Sequence, residues 1–129
     1  VPMRDEQVRR YARHLMLPDV GGLGQTALMV ASAKLVMRES EPDAELVAGR
    51  YLAAGGVGAL VAPTASDEQR ADLAAHGADT KVLGDGDGRE VALAPRPAWW
   101  PSTDGDATAL AFWRGGAAAT LWMADIVNR

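Results

Sequence analysis

The chain of 129 residues contains no cysteine. Disulfides, thiolate zinc sites and cysteine nucleophiles are therefore excluded together, and the composition suits a reducing, cytoplasmic compartment. No run approaches the ~18 consecutive apolar residues of a membrane span. The opening "VPMRDEQVRRYARH" is charged and lacks the apolar centre of a secretory signal, so a secreted protein is not expected. Positive charge is also scarce: the net charge is −4, and eleven of the thirteen basic residues are arginine. Such a chain has no general field that attracts nucleic acid, although Arg4, Arg9, Arg10 and Arg13 form one basic cluster near its start.

Hydrophobic residues make up 48% of the chain, enough for one domain with a real core. Residues 5–17 read as a helix, with Val8, Ala12, Leu15 and Tyr11 on one side, and Pro18 ends it. The next stretch, "DVGGLGQ" (19–25), has the composition of a phosphate loop. A helix precedes it rather than a strand, so Gly21, Gly22 and Gly24 are expected to turn the chain out of an arm helix. A short helix over 24–32 and a strand over 33–37 follow. Ser40 and Asp43 match a capping box for a helix over Ala44–Ala54, stopped by Gly55-Gly56.

"VGALVAP" (57–63) reads as a buried strand. Residues 66–76 read as a helix capped by Ser66 and stopped by Gly77, and 79–83 as a third strand. Strand, helix, strand, helix, strand at these spacings predicts parallel β-α-β units. Beyond them "GDGDG" (84–88) reads as a hairpin or turn, lacking the late glutamate of a calcium loop. "REVALA" (89–94) is a fourth strand candidate, and the final segment is expected to be helical from about Gly115. The expected organisation is one domain: an arm (1–32), a β-α-β core (33–94), a loop (95–106) and a C-terminal helix (107–129).

Three stretches share the order of a known family. "RYARHLMLPDVGGLGQ" (10–25) resembles the opening arm of the ThiF/MoeB/HesA family, relatives of the ubiquitin-activating enzymes. "GRYLAAGGVGALVAP" (49–63) is similar to its first helix and second strand, and "GGAAATLWMADIV" (115–127) to its late helix. The resemblance implies a small Rossmann-like α/β fold: a mostly parallel sheet of three or four strands, flanking helices and an N-terminal helical arm. It covers about half of a chain much shorter than a full family domain, which implies an internally shortened member. The family adenylates the C-terminal carboxylate of a ubiquitin-like or sulfur-carrier protein with ATP and magnesium, as dimers.

The residues depart from that chemistry where it matters. The family's G-x-G-G-x-G loop lets backbone amides at a helix N-terminus approach phosphates. The matching position reads Arg38-Glu39-Ser40-Glu41-Pro42-Asp43, followed by Ala44-Glu45, with no glycine and four carboxylates. Acids in a first helical turn stabilise the helix by about 0.3–1 kcal/mol each, whereas crowding them against a polyanion is repulsive. Magnesium-assisted binding through these acids is the alternative. The acid that would hold the ribose is replaced by Ala62-Pro63, and the family's Asn-x-x-Arg-Gln element is missing, with Arg70 a poor substitute.

Arg13 matches the arginine that the family extends into a neighbour's phosphates, and a guanidinium suits paired phosphate oxygens. It equally suits a solvated helix face or a salt bridge across a dimer. His14 and His76 have no partner pattern for acid–base or metal chemistry. Trp99 and Trp100, outside any predicted element, fit either a core lid or an interface. Trp113 and Trp122, nine residues apart, must face opposite sides of a helix. Candidate interface residues are therefore Arg10, Tyr11, His14, Trp99, Trp100, Trp113 and Trp122.

The expected function is that of a non-catalytic family relative acting through protein contacts, with no catalytic residue, metal or cofactor of its own. A homodimer is favoured. A heterodimer with an intact ThiF/MoeB-type enzyme, which would bring ATP and magnesium, and contact with a ubiquitin-like carrier are the other partners implied. Alternatives are a subunit lending Arg13 to such an enzyme's adenylation site, and a metabolite binder at the carboxyl edge of the sheet.

Overall fold

A computed structural model of the chain describes residues 21–37, 42–93, 98–99 and 107–128. The element order is α1 (Gly21–Met29), β1 (Ser32–Lys34), α2 (Pro42–Ala54), β2 (Ala59–Val61), α3 (Asp67–Ala75), β3 (Lys81–Leu83), β4 (Arg89–Glu90) and α4 (Ala107–Val127). The strands form one all-parallel sheet in the order β3-β2-β1-β4. The expected Rossmann-like α/β class is thus present, with its crossover helices α2 and α3 between successive strands.

Register separates the two faces of the sheet. Ala33, Leu60 and Val82 lie side by side and belong to the core that the helices cover. Because a strand alternates sides at every residue, Lys34, Val61 and Leu83 take the opposite face. The core unites these strand residues with Leu28, Leu52, Val57, Leu73, Ala118, Ala119 and Trp122.

The helices are locked by small residues at close approaches. At Gly115 of α4, an added Cβ would land on the carbonyl oxygen of Ala44 in α2, with Val47 and Ala48 close behind. At Gly49 of α2 it would collide with the Leu73 and Leu35 side chains. This explains one departure from expectation. The helix expected from about Gly115 begins at Ala107, within the 107–129 segment assigned to it, and runs through both glycines; at Gly115 helix packing requires the absent side chain.

A second departure concerns Gly21, Gly22 and Gly24. They do not turn the chain out of a helix; they form the first turns of α1, and the short helix expected over 24–32 lies at Gly21–Met29. Gln25, one turn in, is fully buried, and its Nε2 donates to the Gly55 carbonyl (3.0 Å) at the end of α2. That bond supplies a donor to a helix-terminal carbonyl that would otherwise be orphaned. The strand expected over 33–37 is shorter as well, although the Leu35 amide still donates to Val61 across the ladder.

The "GDGDG" segment is not a hairpin. β3 and β4 are the opposite edges of the sheet, so residues 84–88 cross it without a helix. Gly86 adopts φ 130°, open to glycine alone, and at Gly88 a Cβ would crowd the Ala33–Lys34 backbone. Ser66 caps α3 as expected; its side chain accepts from the Gln69 amide while the Gln69 side chain accepts from the Ser66 amide.

On an isolated helix, alanine is favoured over glycine by about 1 kcal/mol. At Gly115 the fixed α2 backbone reverses that sign. Gly115→Ala is expected to destabilise the protein by about 2 kcal/mol, read as a lower urea midpoint; an unchanged or higher midpoint would refute the close approach.

Candidate functional site

Open parallel sheets bind ligands at the carboxyl ends of strands where the strand order reverses. Here that point lies between β1 and β4, with the start of α2 facing it. The positions expected to replace the glycine loop divide there: Arg38, Glu39, Ser40 and Glu41 lie outside the described residues, while Pro42 and Asp43 open α2. Asp43 and Glu45 are acidic in its first turn, and Glu45 is only 4% exposed. The helix dipole is thus already matched by the protein's own carboxylates.

Apolar residues adjoin this point. Val91 follows β4 into the core, and Met37 and Leu93 pack against the same cluster. Thr64, just after Ala62-Pro63, clasps the end of β1: its Oγ1 accepts from the Met37 amide (2.8 Å) and donates to the Met37 carbonyl (3.2 Å). Arg70 is committed to local structure. Its guanidinium donates to the Ala65 carbonyl (2.8 Å), the Ala62 carbonyl (3.4 Å) and Asp67 Oδ1 (2.6 Å). Among the described residues, this edge offers a triphosphate neither a glycine cradle nor an uncommitted guanidinium, and its buried acid repels a polyanion.

No group of three or more metal-ligating side chains forms among the described residues. No described helix is long and apolar enough to cross a membrane.

A cleft of about 330 Å³ lies instead between α2, α3 and α4, lined by Val47, Arg50, Tyr51, Ala54, His76 and Phe112. Its polar side is self-satisfied. Arg50 grips Asp72 through two bonds, Nε to Oδ1 (3.1 Å) and Nη2 to Oδ2 (2.5 Å). The Asp72 carboxyl is held below its usual range, chiefly by the Arg50 hydrogen bonds and against an opposing push from partial burial. His76 caps α3, its Nδ1–H donating to the Asp72 carbonyl (2.8 Å).

The aromatic residues divide more sharply than the sequence indicated. Trp122 is not an interface residue: it is 6% exposed, and its Nε1 donates to the Arg89 carbonyl of β4 (3.2 Å). Asp125, three residues beyond Trp122 on α4, pairs with the Arg89 side chain. Trp113 faces the other way, as the nine-residue spacing requires, and stands edge-on to Trp99 at 6.5 Å between ring centroids. Trp99 is 72% exposed, and Leu121, two turns beyond Trp113 on α4, is 67% exposed. Arg10, Tyr11, Arg13, His14 and Trp100 lie outside the described residues.

The residue that sequence reasoning passed over is Phe112, exposed on α4 as Leu121 is. A signal existed: among residues 107–127 only Arg114 and Asp125 are charged, too few to clothe the outer side of a surface helix. A scan of the sequence against protein-family models gives no match, and a search of curated proteins gives none either.

The Arg50–Asp72 pair makes a pH-dependent contribution whose sign follows from the lowered Asp72 value. It is fully present above the ordinary aspartate range, about pH 4, and is lost as pH falls through the lower folded value. Because both groups are partly exposed, Asp72→Asn should cost only about 0.5–1 kcal/mol at pH 7. Urea unfolding at pH 7 and near pH 2.5 should show that difference closing in acid; a difference independent of pH would refute the assignment.

Proposed function

We propose that this chain is a non-catalytic ThiF/MoeB-like protein that works through protein–protein contacts. The observation that carries the reading is the apolar outer side of α4, where Trp113 and Leu121 are exposed and Trp99 packs edge-on against Trp113. Exposed aromatic groups held in fixed geometry are the side chains that anchor protein interfaces.

The carboxyl edge of the sheet supports the same reading by its chemistry. Where the resemblance implies a nucleotide loop, the chain has Asp43 and buried Glu45, with Met37 and Leu93 packed against the core nearby. The partners consistent with the reading are a second copy, a ubiquitin-like or sulfur-carrier protein, or an intact activating enzyme. ATP and magnesium would belong to that enzyme. A cytoplasmic location suits a cysteine-free chain.

Calorimetric titration of the full chain with ATP and magnesium tests the reading. No binding heat is expected at nucleotide concentrations up to about millimolar. Saturable micromolar binding would overturn it.

A further inference from the structure

The residues that carry the chain across the sheet, Gly84-Asp85-Gly86-Asp87-Gly88, hold two of the three Asp-Gly pairs in the sequence. The third, Asp104-Gly105, lies outside the described residues. Asp-Gly is the pair in which an aspartate isomerises most readily. The side-chain carboxyl can close a five-membered ring with the next amide nitrogen, and glycine places no side chain in the way. The peptide plane between the two residues must rotate for that ring to close, so the fold decides which pair reacts.

The two described pairs are held differently. Gly86 is exposed, adopts φ 130°, and a Cβ built on it would meet only Val61 Cγ2, at 3.9 Å. Among the described residues neither the Asp85 carboxyl nor the Gly86 amide forms a hydrogen bond. Gly88 is half-buried, and a Cβ there would lie 3.2 Å from the Ala33 carbonyl carbon and from the Lys34 nitrogen. Its neighbour Arg89 is registered against Ala33 in the sheet, with its carbonyl bonded to Trp122 and its side chain paired with Asp125. Rotation at Asp87–Gly88 must therefore lift the crossing off β1, whereas rotation at Asp85–Gly86 breaks no close contact. The crossing itself demands glycine at position 86, and that demand creates the reactive pair.

We propose that Asp85 is a site of spontaneous isoaspartate formation in the folded protein, while Asp87 is protected by the seating of Gly88 on β1. The Gly86 amide nitrogen attacks Cγ of Asp85 and the new C–N bond forms. The carboxyl hydroxyl leaves with the amide proton as water, giving a cyclic imide. Water then opens that ring. Attack at Cγ restores aspartate; attack at the α-carbonyl leaves the main chain running through Cβ and Cγ, with a free α-carboxylate. Water is the only reactant, released in the first step and taken up in the second. The product lengthens the crossing by one carbon. It also presents the α-carboxylate to which an isoaspartyl carboxyl methyltransferase transfers a methyl group from its sulfonium donor. The site is independent of the protein-contact reading above.

The test is to age the full chain in warm, mildly acidic buffer, digest it with trypsin and locate isoaspartate by electron-transfer fragmentation. Cleavage after Lys81 and Arg89 releases residues 82–89, which hold both described pairs and exclude Asp104. In the folded protein isoaspartate at 85 should exceed that at 87 by about tenfold or more, because reaction at 87 requires local opening. In the free 82–89 peptide, aged alongside, the two positions should react at similar rates. Asp85→Glu, which keeps the charge but closes a five-membered ring no longer, should abolish methyltransferase labelling of the fragment; Asp87→Glu should leave it unchanged. No isoaspartate at 85, equal amounts at 85 and 87 in the folded chain, or the same preference in the free peptide would each overturn the proposal.

Discussion

The backbone of α4 lies directly on the backbone of α2 at Gly115, and the remaining arrangement depends on that contact. With no side chain between them, the helices approach closely enough for Ala118, Ala119 and Trp122 to reach the core. The depth of Trp122 in turn brings its indole N–H to the Arg89 carbonyl, while Asp125, three residues on, meets the Arg89 side chain. Strand β4 has only two residues, and these two links tie it to α4. The same seating forces Trp113 and Leu121 outward, because a helix that buries one side must present the other.

The return path from β3 to β4 sets the second constraint. Parallel sheets are ordinarily covered on both faces by crossover helices. In this chain α2 and α3 serve the connections β1–β2 and β2–β3, but residues 84–88 span from one edge of the sheet to the other without a helix. Alternating glycines make so short a path feasible, with Gly86 in a conformation denied to other residues and Gly88 against the β1 backbone. The strand order still reverses between β1 and β4, so the position for a ligand crevice survives. Beside it Met37, Val91 and Leu93 join the core, and the Thr64–Met37 clasp fixes the end of β1.

These two features shift the chemical interest from the sheet edge to the helical layer. At the edge, the Arg70 guanidinium is engaged by carbonyls and Asp67, and the start of α2 carries its own acids. The cleft beside Tyr51 and Phe112 follows the same pattern, since Arg50 and His76 both turn to Asp72. The described surface also exposes apolar side chains on α4, Phe112, Trp113 and Leu121.

Local chemistry made some of this legible from sequence alone. The alternation of apolar runs with capped helical stretches dictated a parallel β-α-β core, because periodicity and the Ser66 cap act over a few residues. The lack of glycine over residues 38–45 was likewise plain, and so was the opposition of Trp113 and Trp122, fixed by helical pitch. Tertiary structure alone decided which of those two tryptophans is buried, since both sides of α4 carry apolar residues and only the fit of Gly115 on α2 selects one. It also decided that Gly21, Gly22, Gly24, Gly115 and Gly116 lie within helices. A glycine read locally is a helix breaker by its entropy, but at Gly115, where two backbones touch, the missing side chain outweighs that cost.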